Sequence, residues 1–228
     1  MISTLRSTWM VMVTALLAAA VAPSAFGQAE QQKLVDDSAA SLSNFMRDPD
    51  MGWLQQNIGR ARGVLIAPML VKAGFIFGGS GGRAVLFAKD PTTNRWVGPA
   101  FYAMATASVG FQAGVSVSES MTLVMTDRGM NSLLSPSFKI GGDASVAAGP
   151  VGAGARSDII ADLIAFSRSK GLYGGLNLDG TLVNTADDWN EAYYGKRVSS
   201  TDILVRMNAH HSGADRMIAD LTRATGGK

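Results

Sequence analysis

The order of hydrophobic and polar positions divides the chain into a helical start, a strand-rich middle and a helical end. Residues 28–45 place small and apolar side chains three and four positions apart, which predicts one helix. The Asp-Pro-Asp sequence at 48–50 should end that helix, and a short second helix is expected over 51–58. Near the C-terminus the helical spacing returns over 185–193 and again from Ile203 to Leu221.

In the middle of the chain the apolar runs become short and are separated by clusters of Gly, Pro, Asn and Ser, which indicates strands. One short helix over 127–134, with Asp127 placed to cap it, is expected to interrupt them. The pattern predicts an α+β fold, in which a twisted, mostly antiparallel β-sheet or barrel-like core is flanked by N-terminal and C-terminal helices. The predicted strands are 63–67, 71–77, 83–89, 96–104, 108–117, 121–126, 138–141, 144–148, 159–166 and 171–178.

The first 27 residues have the layout of a cleavable secretory signal peptide. Arg6 supplies the positive start, and the apolar run from Trp9 to Ala22 follows it. That run is about 14 residues long, whereas a membrane-spanning helix needs about 20. Ala25 and Gly27 are the small residues that precede a cleavage site. We therefore expect export of the chain, with cleavage before Gln28.

The composition of the rest of the chain indicates one exported bacterial domain over residues 28–228. The absence of cysteine favours a bacterial periplasm or cell surface over a eukaryotic secretory route, where a domain of this size commonly carries disulfides. The net charge of +2 is too small to indicate binding to nucleic acid. No metal or cofactor is predicted, because the two histidines, His210 and His211, are adjacent and should point to different sides of a helix.

The glycine-rich run at 78–82 matches two catalytic motifs in its letters only. It spells G-x-S-x-G around Ser80 and, together with Ala84, also satisfies G-x-G-x-x-A. Both motifs require a helix after the glycines, whereas residues 84–88 form an apolar run typical of a strand. We therefore predict no catalytic residue and interpret the run as a hairpin loop that offers backbone N–H groups to an anion. The residues of this predicted anion-binding loop are Gly78, Gly79, Ser80, Gly81 and Gly82.

A series of longer motifs, all in one order along the chain, resembles the SYLF-domain family. The resemblance covers about residues 38–202, and such long ordered motifs are far more specific than an isolated glycine signature. In chain order the motifs are Ala61–Pro68, Lys72–Arg83, Pro99–Tyr102, Ser108–Gly114, Gly142–Gly152, Tyr173–Gly180 and Asn190–Gly195.

The resemblance implies a lipid-binding domain whose ligands are phosphoinositides and other anionic phospholipids. In eukaryotic relatives this activity is coupled to actin assembly, but actin is not expected as a partner of an exported bacterial protein. The N-terminal helix, which is basic in those relatives, here holds Lys33 against Glu30, Asp36 and Asp37. Other cations should therefore contact the lipid. The candidates are Arg62, Lys72, Arg83, Lys139, Arg168, Lys170, Lys196 and Arg197.

The function predicted from the sequence is non-enzymatic binding of membrane phospholipids, with an anionic or phosphoinositide-type headgroup, in the bacterial cell envelope. Two alternatives stay open at this stage. In the first, the domain is a structural or interaction module of the envelope that binds a protein partner and has no lipid site. In the second, the chain is a serine hydrolase that uses Ser80 as its nucleophile.

Overall fold

One curled β-sheet forms the centre of the computed structural model, which describes residues 22–74, 77–109, 114–152, 159–169, 172–173, 178 and 180–226. Its strands follow the order β5-β9-β3-β2-β1-β4-β7-β6, with β8 beside β7. β6 and β7 run parallel, and the other described neighbours run antiparallel. The strands are β1 Gly63–Gly74, β2 Phe77–Lys89, β3 Trp96–Val109, β4 Gly114–Val124, β5 Ser137–Lys139, β6 Val146–Ala148, β7 Leu163–Ser169, β8 Leu172–Tyr173 and β9 Leu182–Thr185.

Helices precede, interrupt and follow the strands, and this arrangement confirms the predicted α+β fold. Short 3-10 turns at Pro49–Met51, Ile58–Arg60 and Ser212–Ala214 connect some of them. No helix of the described ranges is both long and apolar enough to cross a lipid bilayer. The α-helices are α1 Ala22–Arg47, α2 Gly52–Asn57, α3 Asp127–Leu134, α4 Asp187–Tyr194, α5 Ser200–Leu204 and α6 Asp215–Ala224.

Local capping explains several of the helix boundaries. The Thr126 side chain accepts a hydrogen bond from the backbone N–H of Gly129 at 3.0 Å, so Thr126, and not the predicted Asp127, caps α3. Ser199 and Asp202 form a reciprocal capping box at the start of α5. Gly195 ends α4 with a φ of 66°, a left-handed conformation that glycine adopts without steric cost.

Each face of the sheet is covered by its own hydrophobic cluster, because side chains alternate between the two faces along a strand. On the face that α1, α2, α4 and α6 cover, here called the α1 face, Phe45 and Leu54 belong to the same buried cluster as Val85. On the opposite face, here called the α3 face, Leu133 of α3 belongs to the same buried cluster as Leu86. The sheet is therefore the middle layer of the fold, and helices cover most of both sides.

The structure corrects the strand predictions at four places. The predicted strand 108–117 is divided between the end of β3 and the start of β4, and β4 also takes in most of the predicted strand 121–126. The predicted strands 63–67 and 71–77 are one strand, β1, which continues through Pro68 by way of a bulge between Ile66 and Met69. A proline, which lacks the N–H donor, is tolerated at such an irregularity. The glycine-rich run 78–82 belongs to β2 and is not a loop. The sequence pattern did not predict β9, residues 182–185, which pairs with β3 on one side and with β5 on the other.

The buried carboxylate of Asp162 ties the start of β7 to α3 and to the chain before β6. It accepts hydrogen bonds from the Arg128 guanidinium, from the Thr126 hydroxyl at 2.6 Å, and from the backbone N–H and hydroxyl of Ser145 at 2.8 and 2.6 Å. The Arg128 guanidinium, assisted by the Ser145 and Thr126 hydroxyls, holds the pKa of Asp162 well below its usual range. The folded state thus stabilises the ionised form of this side chain.

We expect Asp162→Asn to lower the free energy of unfolding at pH 7 by about 2 kcal/mol, because it weakens several hydrogen bonds to a buried charge. Urea denaturation measures this loss. Asp37→Asn is the control, since Asp37 is a surface residue whose ion pair with Lys33 is exposed, and it should cost about 0.3 kcal/mol.

The effect of Asp162→Asn on the free energy of unfolding should depend on pH. Because the pKa of Asp162 is lower in the folded than in the unfolded state, its stabilisation is present above pH ~4 and is lost as the pH falls further. The difference in unfolding free energy between the native protein and Asp162→Asn should therefore shrink between pH 5 and pH 3, values set by the ordinary aspartate pKa of about 3.9. A constant difference over this range would contradict the assigned role of the carboxylate.

Candidate functional site

The sheet extends beyond the helices at one end, and there its α1 face is open to solvent. On β4, Val115 is 72% and Val117 is 37% exposed, and on β1, Met69 is 58% and Val71 is 40% exposed. Large apolar side chains at such exposure in neighbouring strands are unusual for a surface that meets only water. This end of the sheet is therefore the strongest candidate for a binding surface among the described residues.

Strand register places the exposed apolar residues side by side. Val117 pairs with Val71, Val71 with Gly81, Gly81 with Ala105, and Ala105 with Leu182, so one row crosses five neighbouring strands. A second row lies nearer the sheet end, where Ala73 and Ala107 lie on either side of Gly79 and Val115 follows Ala73 on β4. We define the apolar surface as the exposed residues Met69, Val71, Ala73, Ala105, Ala107, Val115, Val117 and Leu182.

Three of the predicted cations, Arg83, Arg168 and Lys139, border the apolar surface on the same face. Arg83 pairs with Met69 in the adjacent strand, and its guanidinium lies 4.3 Å from the centre of the Trp189 ring. Arg168 on β7 donates to Glu119 on β4 at 3.0 Å. The two arginines thus lie in the row of the sheet that separates the apolar surface from the helices.

Contacts with α1 and α4 position this border. Asn44, near the end of α1, donates to the Glu119 carboxylate at 3.4 Å, which marks where the helix layer stops. On α4, the Asn190 side chain accepts a hydrogen bond from the backbone N–H of Phe101 at 3.0 Å. That bond anchors α4 on β3 and holds the neighbouring Trp189 over Arg83.

The α3 face of the same sheet end is polar. Lys72 pairs with Ser80 on one side and with Ser116 on the other, and Ser80 pairs with Thr106. The hydroxyl groups of Thr106 and Thr181 are 2.7 Å apart and share a hydrogen bond. The projecting end of the sheet is consequently amphipathic, with apolar side chains on one face and hydroxyls and an ammonium group on the other.

The predicted anion-binding loop takes a different form. Residues 78–82 lie in a central strand that pairs with β1 on one side and with β3 on the other. Backbone N–H groups in such a strand are used by the two ladders, so they do not form the cradle that a loop would offer to an anion. The expectation of a loop at this position is wrong, and the strand–turn–helix context of a serine nucleophile at Ser80 is missing as well.

Of the predicted cations other than the two arginines, Lys139 adjoins the apolar surface, and the others that the structure describes lie away from it. Arg62, at the opposite end of β1, pairs with Asp127 at 3.0 Å. Lys139, exposed on the edge strand β5, pairs with Leu182 and so lies at the margin of the apolar surface on the same face. Lys196 donates to the backbone carbonyl of Asn208 at 2.8 Å, and Arg197 lies 3.6 Å from Glu191. Lys170 lies outside the described residues. The structure therefore brings together Arg83 and Arg168, with Lys139 at the β9 margin of the apolar surface and Lys72 at the same end of the sheet but on its other face.

The sequence did not predict the apolar surface, although part of the pattern that produces it is visible there. Val71, Lys72 and Ala73 alternate in polarity, as do residues 115–118. Such alternation is typical of a strand with two different faces, but it does not say which face is covered by helices. No group of side chains that could hold a metal ion occurs among the residues for which the structure is described.

Comparison with known proteins identifies the family of the chain. Residues 105–224, more than half of the sequence, match the Ysc84 family, described as "Las17-binding protein actin regulator". The chain therefore belongs to the Ysc84 family, which confirms the SYLF-domain resemblance.

Among its relatives, the protein YSC84 of Saccharomyces cerevisiae is 33% identical over 154 residues, which cover 64% of this chain and 32% of the relative. LAS seventeen-binding protein 3 of the same yeast is 33% identical over 154 residues, covering 64% of this chain and 33% of that protein. Human SH3 domain-containing YSC84-like protein 1 is 27% identical over 152 residues, covering 64% of this chain and 44% of its own length. The matched segment thus spans less than half of each of these relatives, and none of them carries the name of an enzyme.

Neighbouring glycines of β2 differ in the space around them. A pair of matched alanine substitutions can therefore test how closely β2 packs against the bulge of β1. A Cβ added at Gly82 would lie 2.3 Å from the carbonyl oxygen of Met69 in the bulge, whereas one added at Gly81 would meet Met104 O at 3.5 Å. We expect Gly82→Ala to lower the free energy of unfolding by roughly 1–3 kcal/mol, because the bulge of β1 must shift. Gly81→Ala should change it by less than about 0.5 kcal/mol. Urea denaturation of both variants makes the comparison, and equal effects would contradict the close packing at Gly82.

Proposed function

We propose that this protein binds membranes containing anionic phospholipids and does so without catalysing a reaction. The observation that carries this proposal is the apolar surface of the sheet end, bordered on the same face by Arg83 and Arg168. Apolar side chains beside cations suit the boundary between lipid headgroups and acyl chains. The lipid binding implied by the SYLF-domain resemblance supports the same role.

Burial of apolar side chains should contribute more to the free energy of membrane binding than electrostatic attraction does. Burying the exposed part of a Val, Leu or Met side chain contributes on the order of 1 kcal/mol, and five such side chains lie on the apolar surface. A cation near an anionic membrane also contributes about 1 kcal/mol. Among the described residues, two arginines and Lys139 border this surface, and Glu119 offsets the charge of Arg168. We therefore expect salt to weaken membrane binding without abolishing it.

A hydrolase centred on Ser80 has no structural support. Ser80 lies within β2, where a nucleophile elbow would need a sharp turn into a helix. His211 accepts a hydrogen bond from the backbone N–H of Gly213 at 3.1 Å, and His210 lies 3.0 Å from Asp215, so both described imidazoles have partners in the C-terminal segment. Their arrangement offers no general base to Ser80.

A protein partner is the second candidate, because the family description and one relative's name refer to binding of Las17. An exported chain would not meet cytoplasmic actin regulators, so its partner would be another protein of the envelope. Under that function the apolar surface would be covered by protein, and anionic vesicles would not compete for it.

We expect the double variant Val115→Ser/Val117→Ser to co-sediment with phosphatidylglycerol-containing vesicles about tenfold more weakly than the native protein, since about 1.4 kcal/mol corresponds to one decade. The physical reason is that both valines lie on the apolar surface. Val205→Ser is the matched control, because Val205 is 50% exposed but lies just after α5. Its binding should equal that of the native protein.

Two outcomes of this measurement would contradict the proposal. One is negligible co-sedimentation of the native protein with anionic and neutral vesicles alike at low salt. The other is unchanged binding of the double variant, with circular dichroism verifying that its fold is intact. Capture of an envelope protein that the double substitution abolishes, without any vesicle binding, would favour the protein-partner function.

The cellular location is also a proposal. We propose that residues 1–27 direct export and are removed, so that the domain over 28–228 acts in the periplasm or at the cell surface. Expression in a bacterial host, followed by envelope fractionation and N-terminal sequencing, should recover a protein that begins at Gln28. Recovery of the chain from the cytoplasmic fraction with its first 27 residues intact would contradict export.

A further inference from the structure

We propose that the sheet end docks obliquely on the bilayer with its α1 face down, so that the protein contacts a lipid surface and does not insert the sheet end-first. This inference rests on the proposed membrane binding and adds the face, the tilt and the order of depth. The partner is thus an intact lipid layer, and the protein contacts it through one face of an amphipathic sheet.

The polar α3 face excludes end-first insertion. Lys72 follows Val71 directly in β1, and Ser116 lies between Val115 and Val117 in β4, so polar and apolar side chains occupy the same level along the strands. Driving the end of the sheet into the acyl region would take the Lys72 ammonium and several hydroxyl groups with it. Transfer of a charged group into that region is strongly unfavourable. Docking on the α1 face keeps these groups out of the acyl region.

The helix layer forces the sheet to tilt. A packed helix is about 10 Å across, so α1 and its neighbours stand above the apolar surface by roughly that height. Asn44, through its bond to Glu119, marks the edge of this step. The sheet rises about 3.3 Å per residue, so the row containing Val115 lies roughly 13 Å beyond the arginine row. A flat membrane can meet the apolar surface only if its far end is lowered toward the lipid.

Tilting orders the residues by depth. Val115, in the row farthest from the helices, reaches deepest, Val117 lies at an intermediate depth, and Met69 remains nearest the headgroups. Arg83 and Arg168 then lie at the level of the phosphates, where cations favour an anionic lipid. The net positive charge of this row, two arginines against Glu119, is complementary to that surface.

A groove of about 640 Å³ lies between α1 and α6. It is less suited than the exposed sheet face to hold a lipid molecule taken out of the membrane. Its lining includes five charged residues, among them Arg223, which forms an ion pair with Asp220. Acyl chains require an apolar lining. The contact with lipid is therefore assigned to the exposed sheet face and not to this groove.

Single-cysteine labelling tests the orientation, and the chain offers a clean background because it contains no cysteine. Val115→Cys, Val117→Cys and Met69→Cys place an environment-sensitive fluorophore on the α1 face. Ser116→Cys is the matched control on the α3 face of the same strand. The vesicles contain phosphatidylglycerol and phosphatidylethanolamine, and brominated lipids and aqueous iodide serve as quenchers.

We expect a blue shift and protection from iodide at positions 115 and 117 and neither effect at 116. Quenching by brominated lipid should decrease from 115 through 117 to 69. Equal protection at 116 would establish end-first insertion and overturn the proposal. If positions 115 and 117 become protected as the protein concentration rises, without any vesicles, a second copy of the protein covers this face. That result would overturn the proposal as well.

The result also separates this inference from the membrane binding on which it rests. If the unlabelled protein co-sediments with the vesicles but no label responds, binding occurs elsewhere and only the orientation fails. If the unlabelled protein does not co-sediment, the membrane function itself fails. As a second measurement, Arg83→Gln should lower the affinity for anionic vesicles three- to fivefold, whereas Lys33→Gln, the same change of charge on α1, should leave it unchanged.

Discussion

A single extra residue in β1 decides which side chains the projecting sheet end presents to each face. Before the bulge, Val64 and Ile66 point to the α1 face, and strict alternation would place Lys72 there as well. The irregularity between Ile66 and Met69 reverses the alternation, so Val71 joins Val117 on the α1 face and Lys72 joins the hydroxyls. The amphipathic character of this end depends on that inserted residue and on the glycine at 82 that leaves room for it.

The burial of the two sheet faces changes along the length of the strands. Over the first half of β1 both faces are covered, and large side chains such as Phe87 and Tyr102 are fully buried. Beyond the bulge, small residues replace them, with Gly79 and Gly81 on β2 and Ala105 and Ala107 on β3. Small side chains leave a low, even surface that suits contact with a broad partner. The same strands therefore build both the core and the proposed lipid contact.

Membership in the Ysc84 family does not by itself assign a binding residue in this chain. The chain spans less than half the length of the relatives it matches, and its N-terminal helix is acidic where the resemblance leads one to expect a basic surface. Here Lys33 forms an ion pair with Asp37 on α1, which leaves that helix little positive charge to offer. The arginines beside Trp189 and Glu119 offer a different cationic border, one that depends on strand pairing and not on a helix face.

Local chemistry in the sequence determined the α+β class and the helix over 127–134, because hydrophobic period and helix-start signals act between near neighbours. Periodicity could not reveal that Pro68 lies within a strand, that residues 78–82 pair on both sides, or that Arg83 and Arg168 share a row. These depend on contacts between residues far apart in the chain, and on a bulge that shifts the register by one. Whether an alternating strand shows its apolar side to a core or to solvent is decided by where the helices end, and only the tertiary structure sets that boundary.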